Sequence, residues 1–215
     1  MTVAAGSPSP TAPARGQVAS VTVVEAAAAQ RPVLDRLLQL YKYDFSEFAP
    51  VGSPYGEVDE EGGFAYPGLE SYWRDTGHIP LLIRAADRLA GFALVNQWSA
   101  LGLPLDHGVA EFFVLRKYRR ARVGTRAALS IFRRYPGRWE VGVAWYNPPA
   151  LAFWRSVAEE AAPVKGGGGR WRRETVGRPG AALRHKKIRV SGGITRPVQR
   201  VRSTAASAPA IAAEP

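Results

Sequence analysis

Five of the seven residues from Arg116 to Arg122 are arginine or lysine. They separate an apolar run, Phe112-Phe113-Val114-Leu115, from Val123, Ala127, Ala128 and Ile131, which recur at helical spacing. This predicts a strand buried on both faces, a tight basic turn, and a helix starting near Val123. A helix N-terminus presents unpaired backbone N–H groups and a partial positive charge. With arginines around it, such a turn suits a phosphate or diphosphate. A basic loop leading into a solvated helix is the simpler reading of the same residues.

The stretch resembles the cofactor-binding motif of the GNAT superfamily of N-acetyltransferases, R/Q-x-x-G-x-G/A after an apolar strand. It aligns as Arg119-Arg120-Ala121-Arg122-Val123-Gly124, with Arg122 where the family has its first glycine. A second segment, Asn147-Pro148-Pro149-Ala150-Leu151-Ala152-Phe153-Trp154, is similar to the family's N-x-x-A-x-x-F-Y, with Trp154 at the tyrosine. That tyrosine often protonates the departing thiolate. An indole N–H cannot act as a general acid at neutral pH, so Trp154 is expected to pack. The matched region spans about residues 80–157. W-E-V and A-F-W-R signatures look closest to a bacterial predicted-acetyltransferase subgroup.

The resemblance implies an α/β (α+β) GNAT acyltransferase fold: a mixed, mostly antiparallel sheet splayed between two strands and flanked by helices. It implies acetyl-CoA as cosubstrate and a primary amine as acceptor, joined in a ternary complex by direct attack. The cofactor-binding residues would be Phe113, Val114, Leu115, Arg119, Arg120, Ala121, Arg122, Val123, Gly124, Thr125, Asn147 and Phe153. The pantetheine arm would enter a V-shaped slot between strands at Glu111–Leu115 and Trp139–Trp145, pairing with backbone groups of Phe113 to Leu115 as an added strand would. Glu111, at the strand start, is the first candidate for the base, with a backbone N–H of a bulged strand stabilising the oxyanion. Asp106 and His107 are weaker candidates, in an expected loop over 99–108. In such folds the segment between the first helices overlies the acceptor, which makes Tyr41, Asp44 and Glu47 acceptor-binding candidates. Tyr72 either borders that pocket or packs under the sheet. The aromatic residues Tyr41, Phe45 and Phe48 read equally as core, and the acids as solvated. Asn147 also reads as a plain helix cap.

Composition narrows the classes. The 215-residue chain suits one domain with tails. It has no cysteine, and therefore no disulfide, thiolate metal site or cysteine nucleophile. His78, His107 and His185 are too scattered for a zinc site, and no metal is expected. No apolar run approaches a membrane span, and the start lacks a secretory pattern, so a cytoplasmic protein is expected. The net charge of +11 is uneven: the half before the arginine turn is acidic and the half after it basic. An acidic surface suits a cationic amine, or is simple surface balance. Two competing functions are an acetyl-CoA-binding protein with little catalysis, and a polyanion- or nucleic-acid-binding module using the basic C-terminal half. The basic tail suggests non-specific contact only. Oligomeric state is not readable.

Around the turn, residues 1–18 read as a disordered leader, 19–190 as the domain, and 191–215 as a disordered basic Pro/Ala-rich tail. Val21–Val24 reads as a strand and Ala28–Tyr43 as a helix with Pro32 in its first turn. Leu69–Arg74 reads as a short helix. Pro80–Ala85 and Arg88–Trp98 read as paired strands, where Gly91 marks a bulge or close approach. The helix from Val123 stops before Pro136-Gly137. Trp139–Trp145 reads as a strand, and Asn147 opens the next helix. Trp171–Val176 and Leu183–Val190 read as two last strands.

Overall fold

The computed structural model describes residues 20–52, 56–99, 102, 104–144, 146–161, 173–176 and 185–191. The expected leader, and the tail beyond Ser191, lie outside them. Seven strands form one sheet: β1 (Val21–Glu25), β2 (Ile79–Ala85), β3 (Arg88–Asn96), β4 (His107–Val114), β5 (Arg138–Ala144), β6 (Arg173–Val176) and β7 (His185–Ser191), in the order β1-β2-β3-β4-β5-β7-β6. The helices are α1 (Arg31–Ser46), α2 (Ser71–Arg74), α3 (Val123–Arg134) and α4 (Pro148–Ala161). Every neighbouring pair of strands is antiparallel except β4 and β5, which are parallel.

The central strands are continuous apolar runs because helices cover both sheet faces. Leu82, Phe92, Leu94 and Phe113 face α1 and α2, packing on Leu34, Leu37, Leu38 and Tyr72. Their alternates Leu81, Ala93 and Val95 face α3 at Ile131, and Ile83 and Ala90 meet Val123 and Ala127. The period of two in the strands and of 3.6 in the helices thus meet in one core.

β4 starts at His107, four residues before the expected strand, which moves His107 out of the 99–108 loop. The reason lies in β5: His107, Gly108 and Val109 pair with Trp139, Glu140 and Val141, and Asp106 accepts from the Arg138 backbone N–H at 2.7 Å. Pairing ends there. The β3 register jumps from Leu94↔Glu111 to Val95↔Val109, leaving Ala110 as a bulge. From Ala110 onward β4 diverges from β5, while β5 stays paired with β7 along its whole length. Phe112 is consequently half-buried, not sealed on both faces as its sequence suggests. Gly91 explains the tight β3–β4 contact at the far end: a Cβ there would lie 2.0 Å from the Phe113 carbonyl oxygen.

Candidate functional site

Where β4 parts from β5 a cleft of about 600 Å³ lies against β4, and no residue of β5 is among its lining, so the expected slot is walled by helices on the side away from β4. Its floor is Phe112, Phe113 and Val114 of β4. One wall is the arginine turn and the start of α3, the second is α4 with Asn147, Pro149, Ala150 and Phe153, and the third is α1 with Tyr41, Asp44, Phe45 and Phe48.

The turn is a 3-10 segment, Arg116–Tyr118, followed by two left-handed residues, Arg120 (φ 60°) and Arg122 (φ 58°). Arg122 is the N-cap residue of α3, and no side chain caps that helix. The N–H groups of Val123, Gly124 and Thr125 precede the first intrahelical bond, which runs from Arg126 N–H to the Arg122 carbonyl. Gly124 packs closely on α4: a Cβ would come 3.2 Å from Cε2 of the Phe153 ring, so that ring would have to give by a few tenths of an ångström. The two motif segments therefore touch each other across the cleft.

Several arginines of the turn already hold carboxylates. Arg119 donates from Nε to the Val114 carbonyl at 2.7 Å and from Nη2 to Asp44. Arg116 donates from Nε to Asp44 at 2.5 Å, and its Nη2 lies 3.4 Å from Glu47. Arg122 donates to both oxygens of Glu160 on α4, at 2.6 and 2.7 Å. These pairs fix the turn between two helices. Asp44 lines the cleft but is bound to guanidinium groups, and Glu47 does not line it.

Other expected residues fall outside the cleft. Val123 is buried beneath it, and neither Ala121 nor Leu115 lines it. The Leu115 N–H is used by β3, donating to the Ala90 carbonyl at 2.9 Å. Alternation along an antiparallel ladder then turns Phe113 toward β3 as well, and leaves the backbone of Phe112 and Val114 facing the gap. Of the three residues expected to pair through their backbone, only Val114 is oriented for it, and its carbonyl is occupied by Arg119. Phe112 was missed because its apolar type reads as core. Asn147 caps α4, accepting from the Ala150 N–H at 3.1 Å, and also lines the cleft. Trp154 packs, with ring contacts to Phe112, Phe132 and Phe153.

Glu111 sits on the α1 face of β4, half-buried, inside a ring of phenols. Tyr41 and Tyr66 hydrogen-bond to its carboxylate. Tyr66 also bonds to Tyr72, and Tyr72 to Asn96. Desolvation pushes the Glu111 carboxyl above its usual range; the Tyr41 hydroxyl, the charge of Lys42 and the Tyr66 hydroxyl draw it partly back. All three phenols are raised, burial being the largest cause and the Glu111 charge next. Tyr72 is buried under the sheet against His78 and does not line the cleft. Tyr66, in a Gly/Ala/Pro-rich loop, carried no sequence signal. Asp106 is held below the usual carboxylate range, mainly by the Arg138 N–H, and His107 is lowered by burial. Both lie at the closed end of β4, away from the turn.

Among the described residues no group of three or more His, Asp or Glu could hold a metal ion, and no helix is long and apolar enough to cross a membrane.

No family model matches the sequence, and no curated protein matches it. Solved structures do. An acetyltransferase from Thermus thermophilus aligns at TM-score 0.54 and 14% identity, over 80% of this chain and 97% of that one. An N-acetyltransferase from Staphylococcus aureus aligns at 0.50 and 12%, over 79% and 100%. A protein assigned to the GNAT family of acetyltransferases from Desulfovibrio desulfuricans aligns at 0.50 and 11%, over 80% and 99%. Near-complete coverage of these proteins, together with the parted parallel strands, establishes that the chain carries the GNAT acetyltransferase fold.

Proposed function

We propose that this protein moves an acetyl group from acetyl-CoA to a primary amine by direct attack in a ternary complex. The observation that carries the reading is the parting of β4 from β5 beside an uncapped helix N-terminus in an arginine turn. Acetyl-CoA is the cosubstrate in this reading. Its diphosphate would be held by the N–H groups of Val123, Gly124 and Thr125, with the Arg120 side chain at the rim. The backbone of Phe112 and Val114 and the rings of Phe113 and Phe153 would flank the pantetheine arm. The Phe112 N–H, two residues past the bulge, faces the gap and supplies the oxyanion donor. Glu111 serves as the proton acceptor, and the acceptor amine enters along Tyr41 and Asp44. The acidic first half of the chain favours a cationic amine there.

The expected basic C-terminal module lies mostly outside the described residues, so the polyanion reading has no observation in its favour. The weakly catalytic reading rests on Arg122 and Trp154 and differs from an enzyme only in turnover.

Calorimetric titration with acetyl-CoA is expected to give one site per chain. Gly124→Glu is expected to abolish it, since the new carboxylate meets both the Phe153 ring and the bound phosphates. Unchanged affinity in that variant removes the turn from the site. Thiol release over a panel of polyamine, aminoglycoside, amino acid and peptide N-terminus is expected to identify the acceptor. Binding without release from any amine supports the weakly catalytic reading.

A further inference from the structure

Glu111 and the cleft are not in direct contact. Phe112 and Phe113 line the cleft, but Glu111 does not. Tyr41 lines it and also hydrogen-bonds to the Glu111 carboxylate. Tyr66 and Tyr72 lie behind Glu111, off the cleft. The Tyr41 ring is locked in place by Phe45, Phe92 and Phe113, at centroid distances of 5.9, 5.9 and 5.8 Å.

On the acetyl-transfer reading, we propose that Tyr41 is a proton relay: its hydroxyl takes the proton of the attacking amine while handing its own to Glu111. The amine nitrogen forms a C–N bond with the thioester carbon, and the C–S bond breaks with the electron pair leaving on sulfur. The surplus proton on nitrogen moves to Tyr41 Oη as the Tyr41 hydroxyl proton moves to a Glu111 carboxylate oxygen. Tyr41 begins and ends as a neutral phenol, Glu111 ends protonated, and the thiolate is protonated by water. The reverse passage through Tyr41 then returns the Glu111 proton to solvent. A phenol suits this role because it donates and accepts at once. It need never ionise, which its buried setting would oppose.

The groups that face this pair are Lys42 on α1, Tyr66 in the loop before α2, Tyr72 on α2 and Tyr146 before α4. Tyr66 makes the same kind of bond to Glu111 without reaching the cleft, so it is the internal control. The probe is the amine of highest turnover in the panel above, assayed by thiol release across pH. Wild type should rise with pH through a raised carboxylate value and then level off, because Glu111 must be ionised to accept. Tyr41→Phe should cut the plateau kcat by about 10²-fold, with the acetyl-CoA Kd unchanged by calorimetry. Glu111→Gln should cut it similarly, and the double variant should fall no further than either. Tyr66→Phe removes a bond that stabilises the charged carboxylate, so its acid limb should move to higher pH with a much smaller loss of plateau. Retention of wild-type kcat in Tyr41→Phe overturns the relay while leaving acetyl transfer intact. Equal plateau losses in Tyr41→Phe and Tyr66→Phe also overturn it, since that pattern reports packing around Glu111. Absence of thiol release by wild type with every amine overturns the transfer reading itself.

Discussion

Arg122 occupies a backbone conformation that ordinarily selects glycine. Its φ of 58° places it in the left-handed region, where a side chain costs about 1–2 kcal/mol. The superfamily motif it resembles puts glycine there, and the structure shows why a glycine would suit. Its guanidinium binds both oxygens of Glu160 and joins the turn to α4, which offsets part of that cost. That pair is exposed on both sides, and such pairs contribute about 0.2–1 kcal/mol. Comparing Arg122→Gly with Arg122→Ala isolates the backbone, since both lose the ion pair. Urea denaturation should find the glycine variant more stable than the alanine variant by about 1 kcal/mol. An alanine variant of equal or greater stability contradicts the left-handed turn. At the residue scale the sequence was readable wherever chemistry and position coincide: the Asn147 cap and the packed Trp154 follow from residue type, whereas Gly124 read as a motif glycine and its contact with Phe153 did not show. The phenol ring around Glu111 was not readable. Tyr66 lies 45 residues from Glu111 in sequence, and only the folded chain brings the two together.

At the scale of elements, α1 ends with carboxylates where its dipole disfavours them. Asp44 and Glu47 stand at the last turn, and no basic residue of α1 offsets them there. Arg116 and Arg119, about 70 residues away, supply the missing cations. The periodicity of α1 was legible, and so was the acidic cluster. What the acids bind was not, because pairing between distant segments leaves no local pattern. This cross-link has a consequence for anion binding. On the proposed reading, Asp44 neutralises the Arg119 guanidinium that lines the cleft beside the diphosphate, so Asp44→Asn should tighten acetyl-CoA several-fold at low salt. The gain should close near 1 M NaCl, where the screening length is about 3 Å. Weaker binding at low salt would mean that Asp44 acts mainly by holding the turn in shape. The β4 boundary is the other lesson here. The four residues before Glu111 contain a glycine and an alanine and carry little strand signal of their own. They extend the strand because β5 pairs with them, a tertiary effect that propensity does not report.

At the scale of the molecule, β5 is held from its other side along the length where it parts from β4. β5 shares three register pairs with β4 but seven with β7, from Arg138↔Ser191 to Ala144↔His185. β6 then extends the sheet beyond β7 through four more pairs. Alternating apolar positions made β5 legible in the sequence. β6 and β7 were harder to recognise, since their density of lysine and arginine argues against strands in isolation. Their role is topological: they keep β5 from closing onto β4 along the length where the two diverge. Without them β5 becomes an unpaired edge, free to pair with β4 or with another chain. A chain ending at Ser191 keeps every described strand and should unfold within about 2 °C of the full chain. It should also retain its thiol-release activity. A chain ending at Ala161 lacks β6 and β7 and should aggregate, or lose acetyl-CoA binding where it stays in solution. If the shorter chain stays monomeric and binds acetyl-CoA with undiminished affinity, β4 and β5 part through their own sequences, the Ala110 bulge above all.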